Sequence, residues 1–151
     1  ATGKKRFNID CSEHFKATHD RPVARLSEAT TLADLGGRCA MDISDGLFDA
    51  LEKICESSQV GAVLWANDIP ADKYLKQAMP GNWSDIALSG GEDYELLFTA
   101  PKDLYDTVAS KFETAATKVG QIVEGPPVIK VLDSTGNAIP NKKGWDHFHS
   151  T

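Results

Sequence analysis

Two short segments of this chain combine acidic residues with glycine, and a third places a tryptophan near its end. The first is D-I-S-D-G-L at residues 42–47, the second is G-G-E-D-Y-E-L-L-F at residues 90–98, and the third is G-W-D-H-F at residues 144–148. Carboxylates a few residues apart can hold Mg²⁺ with its waters and leave positions open for phosphate oxygens. The spacing therefore raises the hypothesis of a metal and phosphate site.

The first segment suits this chemistry if it joins a strand to a helix. Asp42 then lies at the carboxyl end of the strand, Asp45 begins the helix, and Ser44 turns its hydroxyl and N–H toward the same crevice. Ligands of α/β sheets bind at that edge, and a helix N-terminus favours anions. Ser and Asp are also preferred helix N-caps, worth about 1 kcal/mol, so a capped helix without a ligand is the alternative.

The second segment has the same character. Gly90 and Gly91 allow close approach or a positive φ, and Glu92 and Asp93 place two carboxylates immediately before an apolar strand. A glycine turn with solvated acids needs no ligand, and that alternative stays open. Glu95 alternates onto one strand face, which is either solvent-facing or part of the site.

Trp145 in the third segment lies in a polar stretch. An exposed ring in such a stretch suits stacking on a cationic aromatic ligand, whereas a role in the core is the alternative. His147 and His149 have no cysteine or third histidine near them, so they are interpreted as surface residues rather than zinc ligands.

The elements that must position these segments follow from apolar periodicity and turn residues. Ser27 is predicted to cap a short helix, and residues 83–89 are ambiguous between helix and strand. Strands are predicted over residues 39–43, 61–66, 95–100, 118–123 and 128–132, and helices after residue 46, over 71–79 and over 101–115. This order predicts an α/β (α+β) fold with one mixed β-sheet and helices packed on it.

Composition limits the classes of function. The chain has 151 residues with 22 acidic and 16 scattered basic residues, so it fits one domain and lacks the clustered positive charge of a nucleic-acid surface. Its three cysteines do not form a C-x-x-C pair, and no apolar run is long enough for a membrane helix. These features predict a reducing, cytoplasmic setting with no membrane partner.

Residues 1–20 show no clear apolar period, so they are expected to form an irregular N-terminal segment, with one domain over residues 21–151. The first residue is Ala rather than Met. The chain is therefore expected to begin partway into a longer gene product.

The three segments resemble the C-terminal domain of the thiamine-monophosphate kinase family. The resemblance rests on A-M-D-I-S-D-G-L at residues 40–47, L-S-G-G-E-D-Y-E-L-L-F-T at residues 88–99 and the terminal G-W-D-H-F, whose order and spacing match from about His19 to the end. The superfamily also includes aminoimidazole-ribonucleotide synthetase, selenophosphate synthetase and a hydrogenase-maturation protein. The implied fold is the C-terminal domain of the aminoimidazole-ribonucleotide synthetase-like type.

The resemblance also implies an activity, the transfer of the ATP γ-phosphate to thiamine monophosphate with the help of Mg²⁺. It makes Asp42 and Asp45 metal ligands, Ser44 a contact to the nucleotide phosphates, and Glu92 and Trp145 contacts to thiamine monophosphate. An acceptor phosphate that is already ionised needs no strong general base, so no catalytic base is expected.

Members of this family carry a second, N-terminal domain that supplies further metal-binding aspartates and much of the ATP site, usually at a dimer interface. The present chain is too short to include it, so the resemblance implies a substrate-side half with little or no activity alone and a homodimer for the full-length protein. A non-catalytic ligand-binding or regulatory module that retains the fold is the alternative, and another branch such as selenophosphate synthesis is a third hypothesis.

Overall fold

The computed structural model describes residues 9–139, with side chains from residue 13 onward. Within this part the helices are α1 (Ile9–Asp20), α2 (Leu26–Asp34), α3 (Leu47–Ser58), α4 (Lys73–Ala78), α5 (Trp83–Ser89) and α6 (Lys102–Ala109). The strands are β1 (Cys39–Asp42), β2 (Gly61–Trp65), β3 (Leu96–Thr99), β4 (Gly120–Val123), β5 (Ile129–Leu132) and β6 (Ala138–Ile139).

The strands form two sheets. β4, β2, β5 and β6 lie side by side in a mixed sheet, in which β2 runs antiparallel to β4 and parallel to β5. β1 and β3 form a separate antiparallel pair. The α/β class with a mixed sheet is thus confirmed, but the strands are divided between two sheets where one was expected. Element order does not specify this division, because strand neighbours are chosen by contacts between residues distant in sequence.

The hydrophobic core forms between α3 and the strands. The helix predicted after residue 46 is confirmed as α3, and its residues Leu47, Leu51, Ile54 and Cys55 are all buried. They belong to one cluster with Leu64 and other residues of the four-stranded sheet. Burial of each large aliphatic side chain stabilises the fold by about 1.5–3 kcal/mol. α3 is therefore anchored firmly, and the turn before it has a fixed position.

Cys55 is a core residue. It is fully buried, and desolvation raises the pKa of its thiol. A thiol in such surroundings remains protonated and unreactive.

Residues 9–20 are helical, so the expected irregular segment is wrong for this part of the chain. The helix α1 is tied to α4, because His14 Nε2 lies 2.8 Å from Asp72 Oδ2 and the rings of His14 and Phe15 approach Tyr74. Asp72 also caps α4 by accepting a hydrogen bond from the backbone N–H of Tyr74 at 2.7 Å. These contacts help to hold a helix whose weak amphipathic pattern gave no signal in the sequence.

Three smaller differences concern local signals. Ser27 lies inside α2, whose N-cap position is Arg25 and carries no side-chain capping bond. The ambiguous residues 83–89 form α5, and β6 is too short to leave a periodic pattern. Over residues 9–139, no helix combines the length and apolar character needed to span a membrane.

Candidate functional site

Backbone hydrogen bonds join the two acidic segments. The N–H of Glu92 donates to the Ser44 carbonyl at 2.7 Å, and the N–H of Tyr94 donates to the Ile43 carbonyl at 2.8 Å. In the opposite direction, the N–H of Ile43 donates to the Glu95 carbonyl at 2.9 Å. These bonds extend the pairing of β1 with β3 into both turns. The two segments therefore form one continuous junction, which we call the acidic junction.

Glycine is required where these turns approach each other. A Cβ atom on Gly91 would lie 2.7 Å from the Ser44 carbonyl oxygen, well inside ordinary contact distance. Gly46 has a φ of +111°, and a Cβ there would lie 3.1 Å from the Ser89 carbonyl carbon. The close approach inferred from the sequence for Gly90 and Gly91 is confirmed, since a Cβ on Gly90 would also lie 2.6 Å from the Ile86 carbonyl oxygen. The positive φ occurs at Gly46 instead, for which the sequence gave no prediction.

The junction holds two non-glycine residues in the left-handed region of backbone conformation. Glu92 has a φ of 70° and Tyr94 a φ of 51°. This conformation costs roughly 1–2 kcal/mol for each L-residue. The hydrogen bonds to Ile43 and Ser44 offset part of that cost, so the backbone at this point is constrained rather than relaxed.

Four of the five site residues predicted from the sequence lie on the acidic junction. Asp42 is the exposed last residue of β1, opposite Leu96, and Asp45 is exposed in the turn before α3. Ser44 is half-buried between them, and Glu92 is exposed in the facing turn. The fifth residue, Trp145, lies outside the described residues.

Asp45 has a cationic neighbour. Lys53 Nζ lies 3.1 Å from Asp45 Oδ2 and 2.6 Å from Asp49 Oδ2, and the hydrogen bonds to Asp49 and then Asp45 raise the pKa of Lys53. The ammonium group marks a position beside Asp45 where positive charge is favourable. Because all three side chains are partly exposed, the net stabilisation of each pair is at most about 1 kcal/mol.

The residues at the junction suit Mg²⁺ by their chemistry, since Asp42 and Asp45 offer hard carboxylate oxygens and Lys53 already places a cation against one of them. They do not form a complete site. Among residues 13–139, no group of three or more His, Cys, Asp and Glu side chains is arranged to hold a metal ion. Phosphate oxygens, water or protein groups beyond this part of the chain would have to complete the coordination.

Glu92 faces the end of α1. His19 Nδ1 lies 3.4 Å from Glu92 Oε2, and both side chains are more than half exposed. Such an exposed pair contributes little to stability and leaves the carboxylate accessible. Glu92 is therefore available to contact a ligand.

Glu95, which the sequence left open between a solvent-facing residue and a part of the site, is exposed and held by an arginine. Arg25 Nε donates to Glu95 Oε2 at 2.8 Å and Arg25 Nη2 donates to Glu95 Oε1 at 2.7 Å. This two-pronged hydrogen bonding, with the charge of Glu95, raises the pKa of the Arg25 guanidinium. The Glu95 carboxylate is therefore already bound by this arginine.

Asp93 lines a cavity of about 890 Å³ together with residues of both sheets. Desolvation, with a smaller effect from the charge of Glu95, raises the pKa of Asp93. The residue is nevertheless exposed in the folded chain. The sequence identified Asp93 only as one of two adjacent carboxylates and gave it no separate role.

Sequence reasoning missed Lys53, Arg25 and His19. Lys53 left a usable signal, because it follows Asp49 by four residues on a predicted helix. Arg25 left none, since its partner is 70 residues away and only the tertiary fold brings the two together.

Comparisons with known proteins agree on one family. The model of the AIR synthase related protein family, C-terminal domain, matches residues 3–132. The thiamine-monophosphate kinase of Buchnera aphidicola subsp. Acyrthosiphon pisum (strain APS) is 34% identical over 145 residues, covering 93% of this chain and 45% of that protein. The thiamine-monophosphate kinase of Bacillus subtilis (strain 168) is 35% identical over 145 residues, covering 91% and 43%.

A solved structure described as AaThiL complexed with AMPPCP and TMP is similar as well. It is 30% identical, superposes with a TM-score of 0.76, and covers 96% of this chain and 44% of the other. The present chain thus spans less than half the length of these relatives.

Proposed function

The chain belongs to the AIR synthase related protein family by its C-terminal domain, and on this basis we propose that it is the substrate-side half of an ATP-dependent thiamine-monophosphate kinase. The reaction is transfer of the ATP γ-phosphate to thiamine monophosphate, giving thiamine diphosphate and ADP. Two kinds of support agree: curated relatives with this name, and a similar structure complexed with AMPPCP and TMP.

The observation that carries the proposal is the acidic junction. Its backbone hydrogen bonds join Ile43 and Ser44, which lie between Asp42 and Asp45, to the turn that carries Glu92, although the two turns are far apart in sequence. The two ligand-free alternatives, a capped helix for the first segment and a solvated glycine turn for the second, do not require the segments to contact each other. Their pairing instead puts the acidic residues of both turns at the same strand end, where a divalent cation bound to phosphate would be favourable.

Within this proposal, Asp42 and Asp45 hold Mg²⁺ and Ser44 contacts the nucleotide phosphates. Bound Mg²⁺ would neutralise charge on the transferring phosphate. Glu92 and Trp145 contact thiamine monophosphate. No catalytic base is assigned, because the attacking phosphate oxygen is already ionised and the chain's task is to position it.

The proposal also concerns the part of the relatives that this chain does not span, which is more than half of their length. We expect that share to supply most of the ATP site, so the 151-residue chain alone has little or no kinase activity. A homodimer of the longer protein, a cytoplasmic location, and the absence of nucleic-acid or membrane partners remain predictions.

Titration calorimetry with thiamine monophosphate tests the proposed substrate. We expect weak binding to the 151-residue chain, strengthened by Mg²⁺, and about tenfold weaker binding for Trp145→Ala, because a ring stacked on an organic cation contributes about 1–2 kcal/mol. Glu92→Gln should also weaken binding. Trp83→Ala is the matched control, since that ring is already covered by Lys76, whose Nζ lies 4.6 Å from its centroid.

Two results would contradict the proposal. Absence of thiamine monophosphate binding, with and without Mg²⁺, would remove the assigned substrate. Binding that Trp145→Ala and Glu92→Gln leave unchanged would remove the assigned contacts.

A further inference from the structure

The turn of residues 90–95, which includes Glu92, follows a strained backbone path. Glu92 and Tyr94 both have a positive φ, which is costly for a residue with a side chain. Negative charge is also crowded here, because Glu92, Asp93 and Glu95 lie close together in sequence. A strained turn keeps one conformation only where the surrounding structure fixes it. The position of Glu92 therefore depends on the groups that anchor this turn.

Glu95 ends the turn, and both its backbone and its side chain are bound by residues from other parts of the chain. Its carbonyl accepts a hydrogen bond from the N–H of Ile43 at 2.9 Å, which continues the pairing of β1 with β3. Its carboxylate accepts two hydrogen bonds from Arg25, at 2.8 and 2.7 Å. The backbone bond fixes the place of Glu95 along the strand pair, and the two side-chain bonds fix its orientation. Arg25 thus anchors the turn at its β3 end.

The anchor has a fixed position of its own, because Arg25 begins α2. Its carbonyl accepts a hydrogen bond from the N–H of Ala29 at 3.0 Å in the first turn of that helix. Glu28 of α2 is buried and accepts a hydrogen bond from Thr114 Oγ1 at 2.8 Å, and Leu32 of the same helix is buried as well. α2 is therefore attached to the rest of the fold independently of Glu95.

The pair of Arg25 with Glu95 differs from the exposed ion pairs of this chain. The Arg25 side chain is 25% exposed, whereas the Lys102 side chain is 92% exposed in its pair with Asp106. A guanidinium offers N–H groups in a fixed planar geometry that matches a carboxylate, so two parallel hydrogen bonds restrict the orientation of both side chains. Exposed pairs with a single contact restrict little.

We propose that Arg25 is a positioning residue of the kinase: its two hydrogen bonds to the Glu95 carboxylate hold the turn in the conformation that directs Glu92 to thiamine monophosphate. The inference rests on the proposed function. Arg25 acts through Glu95 and the backbone of the turn and contacts neither substrate nor metal itself. The proposed metal ligands, Asp42 and Asp45, lie on the other turn. Loss of Arg25 should therefore weaken substrate binding more than it slows turnover.

Arg25→Lys is the direct test, because it keeps the positive charge and removes the two-pronged geometry. In a full-length kinase that carries this domain, we expect the KM for thiamine monophosphate to rise about tenfold, since small displacements of positioned groups have effects of this order or larger. We expect kcat and the KM for ATP to change by less than about twofold. Arg38→Lys is the matched control, because Arg38 is an exposed arginine immediately before β1, and its constants should match the wild type.

A second substitution shows whether Arg25 acts through Glu92. In a Glu92→Ala background the contact that Arg25 positions is already absent, so Arg25→Lys should raise the KM for thiamine monophosphate no further. Glu95→Gln alone should reproduce the effect of Arg25→Lys, because it weakens the same pair from the other side. An equal increase in the presence and absence of Glu92 overturns the proposal, since Arg25 would then affect the substrate by another route.

Amide hydrogen exchange in the 151-residue chain tests the anchor without any ligand. The N–H groups of Ile43 and Glu92 join the two turns, so they should exchange faster in Arg25→Lys than in the wild type. The N–H of Trp65 in β2, which donates to the Val119 carbonyl at 2.9 Å, should show a smaller change. Equal acceleration at all three amides indicates a general loss of stability and overturns the proposal.

The outcomes also separate this proposal from the proposed function. A lower Tm for Arg25→Lys with an unchanged KM for thiamine monophosphate indicates a merely structural residue, which overturns the positioning role and leaves the proposed function standing. An equal rise in KM for Arg38→Lys also overturns it, because the effect would not be specific to the pair with Glu95. A full-length protein that neither binds nor phosphorylates thiamine monophosphate overturns both.

Discussion

Replacement of Asp42 or Asp45 by Asn in a full-length kinase that carries this domain is expected to lower kcat/KM by about 100-fold or more. Mutation of residues that only hydrogen-bond to metal ligands typically lowers metal affinity or activity by about 10–100-fold. Loss of a direct ligand should have at least as large an effect. Asn keeps the size of the side chain and removes the charge that attracts Mg²⁺. Steady-state kinetics at several Mg²⁺ concentrations would measure the effect.

The fold should tolerate both substitutions. Asp42 and Asp45 are exposed, and the pair between Asp45 and Lys53 is a surface ion pair worth at most about 1 kcal/mol. Asp49→Asn is the matched control, because Asp49 also binds Lys53 but lies within α3, beyond the acidic junction. Near-normal turnover in Asp42→Asn and Asp45→Asn would reduce these residues to turn and capping roles.

Gly91→Ala is expected to disrupt the acidic junction itself. The new methyl group would lie 2.7 Å from the Ser44 carbonyl oxygen, which also accepts the Glu92 hydrogen bond. The two turns would have to separate, and we expect the free energy of unfolding to fall by about 1–3 kcal/mol, as in overpacked sites. Urea denaturation of the 151-residue chain would measure this loss, and thiamine monophosphate affinity should fall with it.

Gly81→Ala is the control for this substitution, because a Cβ there meets no atom within 4 Å. Its stability and ligand affinity should stay close to those of the wild type. Equal free energies of unfolding for Gly91→Ala and Gly81→Ala would show that close packing of the two turns does not stabilise the acidic junction.

Local sequence patterns predicted the regular elements well where a long apolar period was present. α3 is the clearest case, because the spacing of Leu47, Leu51 and Ile54 matches one buried helical face. The patterns failed where elements are short or depend on remote contacts. β6 has two residues, and the described contacts of α1 include those of His14 and Phe15 with α4. The division of the strands into two sheets has no local signature.

The candidate site likewise has parts that the sequence predicted and parts that depend on contacts between distant residues. The acids and glycines of both turns were evident from residue type and spacing, and the family resemblance joined them to one function. The ion pair between Arg25 and Glu95 was not predictable, because these residues are 70 positions apart. Nor did the sequence distinguish Asp93 from Glu92, since adjacent residues of the same charge carry the same local pattern.

The sequence by itself determined the family, the α/β class and the positions of the two acidic glycine turns, because residue type, spacing and periodicity are local properties. The tertiary structure decided how the two turns meet and which carboxylates already have partners. It also placed Asp93 at the wall of a cavity that residues of both sheets line, although Asp93 and Glu92 are both exposed. The physical reason is that backbone pairing between β1 and β3, and the left-handed conformations of Glu92 and Tyr94, set the direction of each side chain. Those directions exist only once distant segments have packed together.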